Sequence, residues 1–279
     1  MRQPLPAKAH SKLLSAVLLG YDHAPNHPCK LRLQAWIERA LGNRRLIRRV
    51  NSGYWMALDR LDFIQRSLAH EAIWEPGLTR LFAMEFRSGD VFWDAGANTG
   101  YFTLMALKAG VQRVVSFEPD PLTVSILELN LRLNDWSRPE SVEIVRCALG
   151  AKAGAVTFGR ASATNTGMSG IGIQNAELEF EVEMTTLDRL FGSAEELAPT
   201  ILKIDVEGLE LAVLEGGQTL LAKAPPRLIV FEADRNQSGG LADERLEDLL
   251  SRGGYSVRLL EGDIHGEGKA NFVALHGMA

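Results

Sequence analysis

Five acidic residues stand at or just past the ends of apolar stretches that are typical of buried strands. They are Asp94, Glu118, Asp205, Glu207 and Glu232. Because the carboxyl ends of parallel strands meet at one edge of a sheet, we expect these side chains to gather there. Clustered carboxylates repel one another, so such an edge must bind cations or hold protons. The sequence therefore predicts a binding or catalytic site at this edge.

The first acid opens a turn of small residues that leads into a helix. Gly96 and Gly100 allow the backbone to approach a ligand closely, and the helix N-terminus offers free N–H groups. The dinucleotide fingerprint G-x-G-x-x-G fails here, because its second and third glycines are replaced by Asn98 and Tyr101. Asp94 is a poor neighbour for a pyrophosphate and a good one for a cation. We therefore expect a nucleoside that carries positive charge and no phosphate, which argues against a nicotinamide dehydrogenase.

Glu118 ends the next predicted strand in the segment Phe117-Glu118-Pro119. It follows Asp94 by 24 positions, the spacing of one βαβ unit. An acid at this place can accept both hydroxyl groups of a ribose. The alternative is that Glu118 is only a surface acid at a strand end. The turn that begins at Asp94, one βαβ unit earlier, argues against this alternative.

The roles of Asp205 and Glu207 stay open between three interpretations. One of them is a general base that removes a hydroxyl proton from an acceptor. The acids could instead hold a divalent metal such as magnesium, or serve only cofactor binding and helix capping. His70 lies near Glu75 in the lead-in segment and is a further candidate for the base, with a structural histidine as its alternative.

Strands and helices alternate from residue 90 onward, which predicts a parallel sheet covered by helices on both faces. The two final strands have no helix between them, so the last strand should be antiparallel. The predicted strands are 91–93, 113–117, 142–147, 155–158, 180–184, 200–204, 227–231, 255–260 and 271–275. The predicted helices are 76–88, 99–108, 121–133, 208–221 and 242–252. The polar, glycine-rich loop 161–170 is predicted either to close over a substrate or to be a plain surface connection.

The N-terminal part differs from the rest in its charge. Residues 1–50 hold ten Lys/Arg and two Asp/Glu, so this arm carries +8, whereas the whole chain carries −5 and the remainder −13. Apolar spacing predicts an amphipathic helix over residues 30–48, and residues 51–65 read as a hairpin. We therefore divide the chain into a basic helical arm with a lead-in hairpin (1–75) and a binding domain (76–279). The arm could pack on its own body, form a homodimer or meet an anionic partner.

Composition limits the class of protein. With 279 residues, 46% hydrophobic and 23% charged, the chain has an ordinary globular composition. Its net charge of −5 argues against a general nucleic-acid binder. The two cysteines, Cys29 and Cys147, form no disulfide framework and fit a reducing compartment, so we expect a cytoplasmic protein without a transmembrane segment.

Three motifs together resemble one family. Asp94-Ala-Gly-Ala-Asn-Thr-Gly100, Phe117-Glu-Pro119 and Lys203-Ile-Asp-Val-Glu-Gly208 are similar to those of the FkbM family of S-adenosylmethionine-dependent methyltransferases. The resemblance runs from about residue 54 to Phe272. It implies a Rossmann-like class I methyltransferase fold with a seven-stranded sheet. It also implies O-methylation of a hydroxyl on a small-molecule or glycan acceptor, such as a sugar, a glycolipid or a secondary metabolite.

The resemblance also implies roles for particular residues. Residues of the first motif would line the methionine part of S-adenosylmethionine, Glu118 would hold the ribose, and Ala148 would border the adenine. Glu75 would lie at the edge of the cofactor. The implied cofactor-binding set is Glu75, Asp94, Gly96, Asn98, Thr99, Gly100, Glu118, Pro119, Ala148 and Asp205. The alternatives are a non-catalytic nucleoside-binding or interaction module and a NAD-type dehydrogenase on a similar fold.

Overall fold

The structure is a computed structural model, and it describes residues 45–59, 61–136, 140–162, 165–265 and 268–277. Residues 1–44 lie outside the described residues. The predictions for most of the basic arm, including its helix up to residue 44 and a homodimer formed through it, therefore stay predictions. Within the described part of the chain, none of the helices is long and apolar enough to span a bilayer.

The chain forms thirteen strands within the described residues, which we number in chain order. They are β1 (Arg45–Arg49), β2 (Trp55–Asp59), β3 (Val91–Ala95), β4 (Arg113–Phe117), β5 (Val142–Val145), β6 (Ala148–Leu149), β7 (Gly154–Ser162), β8 (Asn165–Ile171), β9 (Leu178–Thr185), β10 (Ile201–Ile204), β11 (Leu228–Asp234), β12 (Tyr255–His265) and β13 (Lys269–His276). The α-helices are α1 (Phe63–Glu71), α2 (Pro76–Glu85), α3 (Tyr101–Ala109), α4 (Pro121–Leu133), α5 (Leu187–Ser193), α6 (Glu210–Glu215), α7 (Gln218–Lys223) and α8 (Glu244–Arg252).

Seven strands form the central sheet, in the order β12-β13-β11-β10-β3-β4-β5. The strands β11, β10, β3, β4 and β5 are parallel to their neighbours in this series. Strand β13 is antiparallel to both β11 and β12. The prediction of a mostly parallel seven-stranded sheet with an antiparallel last strand is confirmed.

Alternating side chains of the central strands pack into two hydrophobic cores, one on each face of the sheet. In β3, Phe92 packs into the core that contains Phe82 of α2, whereas Trp93 packs into the core that contains Leu214 and Leu250. Strands that are buried on both faces read as continuous apolar runs, because successive side chains point to opposite faces. This burial fixes the sheet and the positions of its strand ends.

The N-terminal hairpin corrects one prediction. Residues 45–48 belong to strand β1 and not to the predicted helix, since β1 pairs antiparallel with β2. Leu46 and Leu58 oppose each other and are buried, whereas Ile47 is exposed. The predicted hairpin is also displaced: it pairs residues 45–49 with 55–59 and does not extend to residue 65, since residues 63–65 begin α1. The buried residues of the hairpin join the core that contains Phe92. The boundary between residues 75 and 76 stays a prediction.

A second sheet follows β5, in the order β6-β9-β7-β8. The segment predicted as the loop 161–170 instead forms the end of β7 and most of β8, which pair antiparallel. Register places Phe158 opposite Ile171 and Arg160 opposite Ser169. The residues of this segment are small and polar, so their local pattern did not indicate the strands.

The helix predicted over residues 208–221 is two short helices, α6 and α7. They are separated by Gly216 and Gly217. A Cβ at residue 216 would lie 2.2 Å from the carbonyl oxygen of Gly150, so the chain needs a glycine where it crosses the start of the second sheet. The break therefore comes from a tertiary contact.

Candidate functional site

A cleft opens at the carboxyl ends of the central strands and has two adjoining halves. The half that we call the β4 half is lined by Phe117, Glu118, Pro119, Cys147, Ala148, Leu149, Phe158, Ser169, Gly170, Ile171, Val206 and Leu209. The half that we call the α1 half is lined by Phe63, Leu68, Trp74, Glu75, Ala97, Thr99, Tyr101, Phe102, Lys203 and Glu232. Five residues line both halves, namely Ile64, Gly96, Asn98, Asp205 and Glu207. The two halves can therefore hold two connected parts of one ligand, or a ligand and its reaction partner.

The turn after β3 forms the floor between the halves. Gly96 has φ +74°, and a Cβ there would lie 1.8 Å from the carbonyl oxygen of Asp205. Asn98 also has a positive φ, +50°, and its side-chain oxygen accepts from the Thr99 N–H at 2.8 Å. The place of a Cβ at residue 96 is thus occupied by the backbone of the loop after β10, so only glycine fits between the two loops.

Glu118 is buried at the end of β4, with 6% of its surface exposed. Its two carboxylate oxygens accept from the backbone N–H groups of Asn98 at 2.9 Å and Asp120 at 3.0 Å. Burial raises the pKa of Glu118 to about 7, although the two backbone hydrogen bonds oppose the rise. Each carboxylate oxygen can accept a second hydrogen bond, so the group can bind two hydroxyls in the β4 half.

Asp94 lies behind the cleft surface and does not line either half. Its side chain accepts from the Thr103 hydroxyl at 2.7 Å and lies 3.4 Å from the ammonium of Lys203. Lys203 is also 3.3 Å from the carboxylate of Asp205 and donates to the carbonyl of Gly96 at 3.2 Å. Burial would lower the pKa of Lys203, but the carboxylates of Asp205 and Asp94 raise it, so the side chain stays charged.

Lys203 therefore links the turn after β3 to the acidic loop after β10. Nothing in the local sequence pattern shows that Lys203 faces two acids. Its register opposite Asp94 on the neighbouring parallel strand is the signal that could have revealed the contact.

The loop after β10 presents Glu207 to both halves of the cleft. This residue has φ +56°, which is uncommon for a side chain other than glycine and points to a functional constraint. Loss of hydration in the cleft, followed by the charges of Asp205 and Glu232, raises the pKa of Glu207 to about 7, although its side chain stays accessible. Glu210 supports the loop by accepting from the N–H groups of Val206 and Gly208.

The wall of the α1 half combines apolar and acidic side chains. Phe63 is 58% exposed at the start of α1, and Trp74 is half-buried beside it. Glu75 is buried at 9% exposure, has φ +41°, and accepts from the Asn271 side chain at 3.3 Å. Glu232 is paired with Lys269 at 2.9 Å. This wall can contact an apolar face and several hydroxyl groups.

The structure brings most of the predicted site residues to the cleft. Glu75, Gly96, Asn98, Thr99, Glu118, Pro119, Ala148, Asp205 and Glu207 all line it. Gly100 is the N-cap residue of α3 and has φ +92°. It lies behind the residues that line the cleft, and a Cβ there would lie 2.2 Å from the Leu127 side chain. The role of each residue towards a ligand stays a prediction.

His70 is not among the described residues that line the two halves. It lies in the last turn of α1, two positions after Leu68, which does line the α1 half. Its backbone carbonyl accepts from Arg48 at 3.3 Å. His70 is also seven positions after Phe63, which lines the same half, so its role as a base stays a prediction.

No group of three His, Cys, Asp or Glu side chains within the described ranges is arranged to hold a metal ion. Burial raises the pKa of the Cys147 thiol to about 12, so this cysteine in the β4 half stays protonated.

The strand order and the acids at the ends of β3 and β4 define the class of protein: it has the Rossmann-like class I methyltransferase fold. The family model for the methyltransferase FkbM domain matches residues 94–257, which is more than half of the chain. The chain therefore belongs to the FkbM methyltransferase domain family, as its motifs predicted.

Two curated relatives match shorter stretches. The chain is 31% identical over 143 residues to the hexuronic acid methyltransferase AglP of Haloferax volcanii, covering 51% of this chain and 56% of that protein. It is 32% identical over 143 residues to Methyltransferase 1 of Beauveria bassiana, covering 44% of this chain and 56% of that protein. The chain thus spans just over half the length of the curated relatives it matches.

Solved structures with similar folds include other methyltransferases. TYW2 of M. jannaschii, solved in complex with AdoMet, has a TM-score of 0.45 at 14% identity, and the match covers 83% of this chain and 85% of that chain. Precorrin-6y C5,15-methyltransferase from Geobacter metallireducens has a TM-score of 0.41 at 14% identity and covers 72% of this chain and 87% of that chain. Sequence identities this low give no information about the ligands that this chain binds.

Proposed function

We propose that the protein is an S-adenosylmethionine-dependent methyltransferase that methylates a hydroxyl group of a sugar-like acceptor. The observation that carries this proposal is the position of Glu207. It lies between the two halves of the cleft, with a positive φ and a raised pKa, in a chain of the FkbM domain family. A carboxylate there can receive a proton from an acceptor hydroxyl in the α1 half.

The described residues fit this cofactor. The Glu118 carboxylate can accept both ribose hydroxyls, because each of its oxygens uses only one backbone N–H. Gly96 and Asn98 line both halves of the cleft, so a ligand can lie along this turn, and the carboxylates of Asp205 and Glu75 can attract the positive sulfonium of the cofactor. When bound, S-adenosylmethionine supplies an activated methyl group to an in-line displacement. The protein then contributes mainly orientation, which can be worth about 7–11 kcal/mol.

Glu207 is the residue that we assign to proton removal. With a pKa of about 7 it is partly ionised near neutral pH, which suits a general base. Asp205 has the ammonium of Lys203 within 3.3 Å, so we assign it to positioning and charge balance. No step in this proposal uses a metal.

The charge of the α1 half suggests the kind of acceptor. Its lining includes the carboxylates of Glu75, Asp205, Glu207 and Glu232, which would repel an anionic group but can accept hydrogen bonds from hydroxyls. Phe63 and Trp74 offer apolar surface for the C–H face of a ring. AglP is named for hexuronic acid, whereas we propose a neutral hydroxyl-bearing acceptor for this chain.

Calorimetric titration with S-adenosylmethionine tests the cofactor half of the proposal. We expect binding by the wild type, loss of most affinity in Glu118→Ala, and unchanged affinity in Glu181→Ala, an exposed acid on β9. Repeating the titration with magnesium tests the metal interpretation, and a strong dependence on the ion would support it. Absence of binding by the wild type would contradict the proposal.

Transfer of a labelled methyl group to matched sugars tests the acceptor half. We expect methylation of neutral hexosides and little or none of the corresponding hexuronides. Binding of the cofactor without transfer to any hydroxyl acceptor would favour a non-catalytic binding module, and preference for the hexuronide would contradict the argument from charge.

A further inference from the structure

We propose that the β7–β8 hairpin forms the second wall of the nucleoside pocket, and that the Ser169 hydroxyl hydrogen-bonds the nucleoside. This inference rests on the proposed function. It assigns binding to a segment that the sequence presented as a loop over the substrate.

The register of the hairpin directs one of its faces toward the β4 half. Cross-strand partners in an antiparallel pair share a face, and residues two apart on a strand share it as well. Phe158 and Ile171 form one such pair, and Arg160 and Ser169 form the next. Phe158, Ser169 and Ile171 all line the half that contains Glu118. The hairpin therefore faces the ribose-binding carboxylate across the pocket with two apolar side chains and one hydroxyl.

The hydroxyl of Ser169 is buried, and its oxygen has no hydrogen-bond partner among the described residues. A buried polar group that stays unsatisfied is costly, so its presence in a native structure calls for an explanation. A hydroxyl both donates and accepts, which suits the ring nitrogens and the amino group of a purine. A bound nucleoside would supply the missing partner.

An ion pair fastens this wall to the ribose-binding segment. The Arg160 guanidinium makes a two-point contact with the Asp120 carboxylate, with its Nε donating at 2.9 Å, and both residues are buried. The backbone N–H of Asp120 donates in turn to Glu118 at 3.0 Å. Arg160 also lies over the ring of Phe180, 5.7 Å from its centre. A planar, bidentate contact of this kind fixes orientation as well as distance, so the wall and the carboxylate are held in one geometry.

The test is the affinity of Ser169→Ala for two ligands, S-adenosylhomocysteine and 5′-methylthioadenosine. The second ligand lacks the amino-acid part. Loss of a contact in the nucleoside pocket should therefore weaken the binding of both ligands by the same factor. We expect binding about 3–10-fold weaker for each, the usual effect of one hydrogen bond. The melting temperature of the unliganded variant should equal or exceed that of the wild type, because the lost hydroxyl has no protein partner.

Ser125→Ala is the matched control, since its hydroxyl donates to Pro121 on the exposed face of α4, and we expect unchanged affinity. Affinity of Ser169→Ala within twofold of the wild type, with binding still lost in Glu118→Ala, would overturn this inference and leave the proposed function intact. A lower melting temperature would also overturn it, because the hydroxyl would then serve the fold. If the wild type bound neither ligand, the proposed function would fail as well.

Discussion

Gly96 and Asp205 approach each other so closely that a Cβ at residue 96 would lie 1.8 Å from the carbonyl oxygen of Asp205. The two residues follow neighbouring parallel strands, β3 and β10, and the N–H of Asp205 donates to Ala95 at 3.1 Å. The turn after β3 and the loop after β10 that carries Asp205 and Glu207 are thus one packed unit. A change in either must move the other.

Gly96→Ala should therefore damage both stability and binding. The added methyl group meets backbone, which cannot rotate away, and φ is +74°. We expect the free energy of unfolding to fall by more than the roughly 1–2 kcal/mol that a left-handed conformation alone costs, and affinity for S-adenosylmethionine to be largely lost. Urea denaturation and calorimetry measure the two effects.

Gly110→Ala is the control for this prediction. Gly110 also has a positive φ, +80°, but a Cβ there would meet nothing within 4 Å. Gly110→Ala should lower the free energy of unfolding only by the cost of the left-handed backbone conformation, and it should leave binding of S-adenosylmethionine intact. Equal loss of stability in the two variants would show that the contact with Asp205 does not matter.

Lys203→Met should destabilise the fold strongly. The ammonium is buried between Asp94 and Asp205, and its removal leaves Asp94 as a buried charge without its cation. Loss of one partner of a buried pair costs about 3–5 kcal/mol. Lys269→Met, which removes a cation paired with Glu232 but 42% exposed, should cost no more than about 1 kcal/mol. Comparable unfolding free energies for the two variants would contradict this account.

Glu118 should make the stability of the unliganded protein depend on pH. Burial raises the pKa of Glu118 from 4.5 to about 7, so between these values the folded protein keeps a proton that the unfolded chain releases. Stability should therefore fall as pH rises through this window, by about 3 kcal/mol in total. Glu118→Gln lacks this contribution, and the difference between the two proteins, followed by urea denaturation at pH 4.5 and 8, isolates it. Parallel pH profiles would refute the prediction.

Glu207→Gln should lower the rate of methyl transfer and flatten its pH dependence near neutrality, leaving only the part that Glu118 contributes through cofactor binding. Because the pKa of Glu207 is about 7, kcat/KM of the wild type should rise with pH to a plateau above that value as the carboxyl group ionises. Loss of a general base costs roughly 10²–10⁴-fold. Glu181→Gln on the exposed side of β9 should retain the wild-type profile. A pH profile of kcat at saturating cofactor that survives unchanged in Glu207→Gln would point to another base.

Arg160→Met should raise the KM for S-adenosylmethionine several-fold and change kcat much less. The guanidinium positions the β7–β8 wall through Asp120 and does not reach the acceptor half. Arg146→Met removes an exposed pair with Glu128 and should change neither constant. A fall in kcat at constant KM would show that Arg160 acts on the chemical step, and Arg160→Lys, which keeps the charge, tests whether the two-point geometry is needed.

Local patterns were sufficient for the end of the site that contains Asp94 and Glu118. The turn from Asp94 to Gly100, the strand that ends at Glu118 and the final antiparallel strand all follow from short-range apolar periodicity and turn chemistry. Such features depend on residues a few positions apart, which a sequence shows directly.

Predictions failed where a distant partner decides the structure. Residues 45–48 form a strand because they pair with β2, and residues 165–171 do so because they pair with β7. The apolar stripe that predicts a helix up to residue 48 carries no information about a hairpin partner. Small, polar residues such as those of β8 have a weak strand preference, so only the pairing defines them.

The sequence by itself determined the class of fold, the family and the convergence of five acids at one sheet edge, because strand direction and turn position fix where strand ends meet. Tertiary structure alone decided which of those acids face the cleft. It turned Asp94 inward to Lys203 and left Glu207 accessible. The physical reason is that side-chain orientation and burial depend on neighbours brought together from distant parts of the chain, and these set charge, pKa and access.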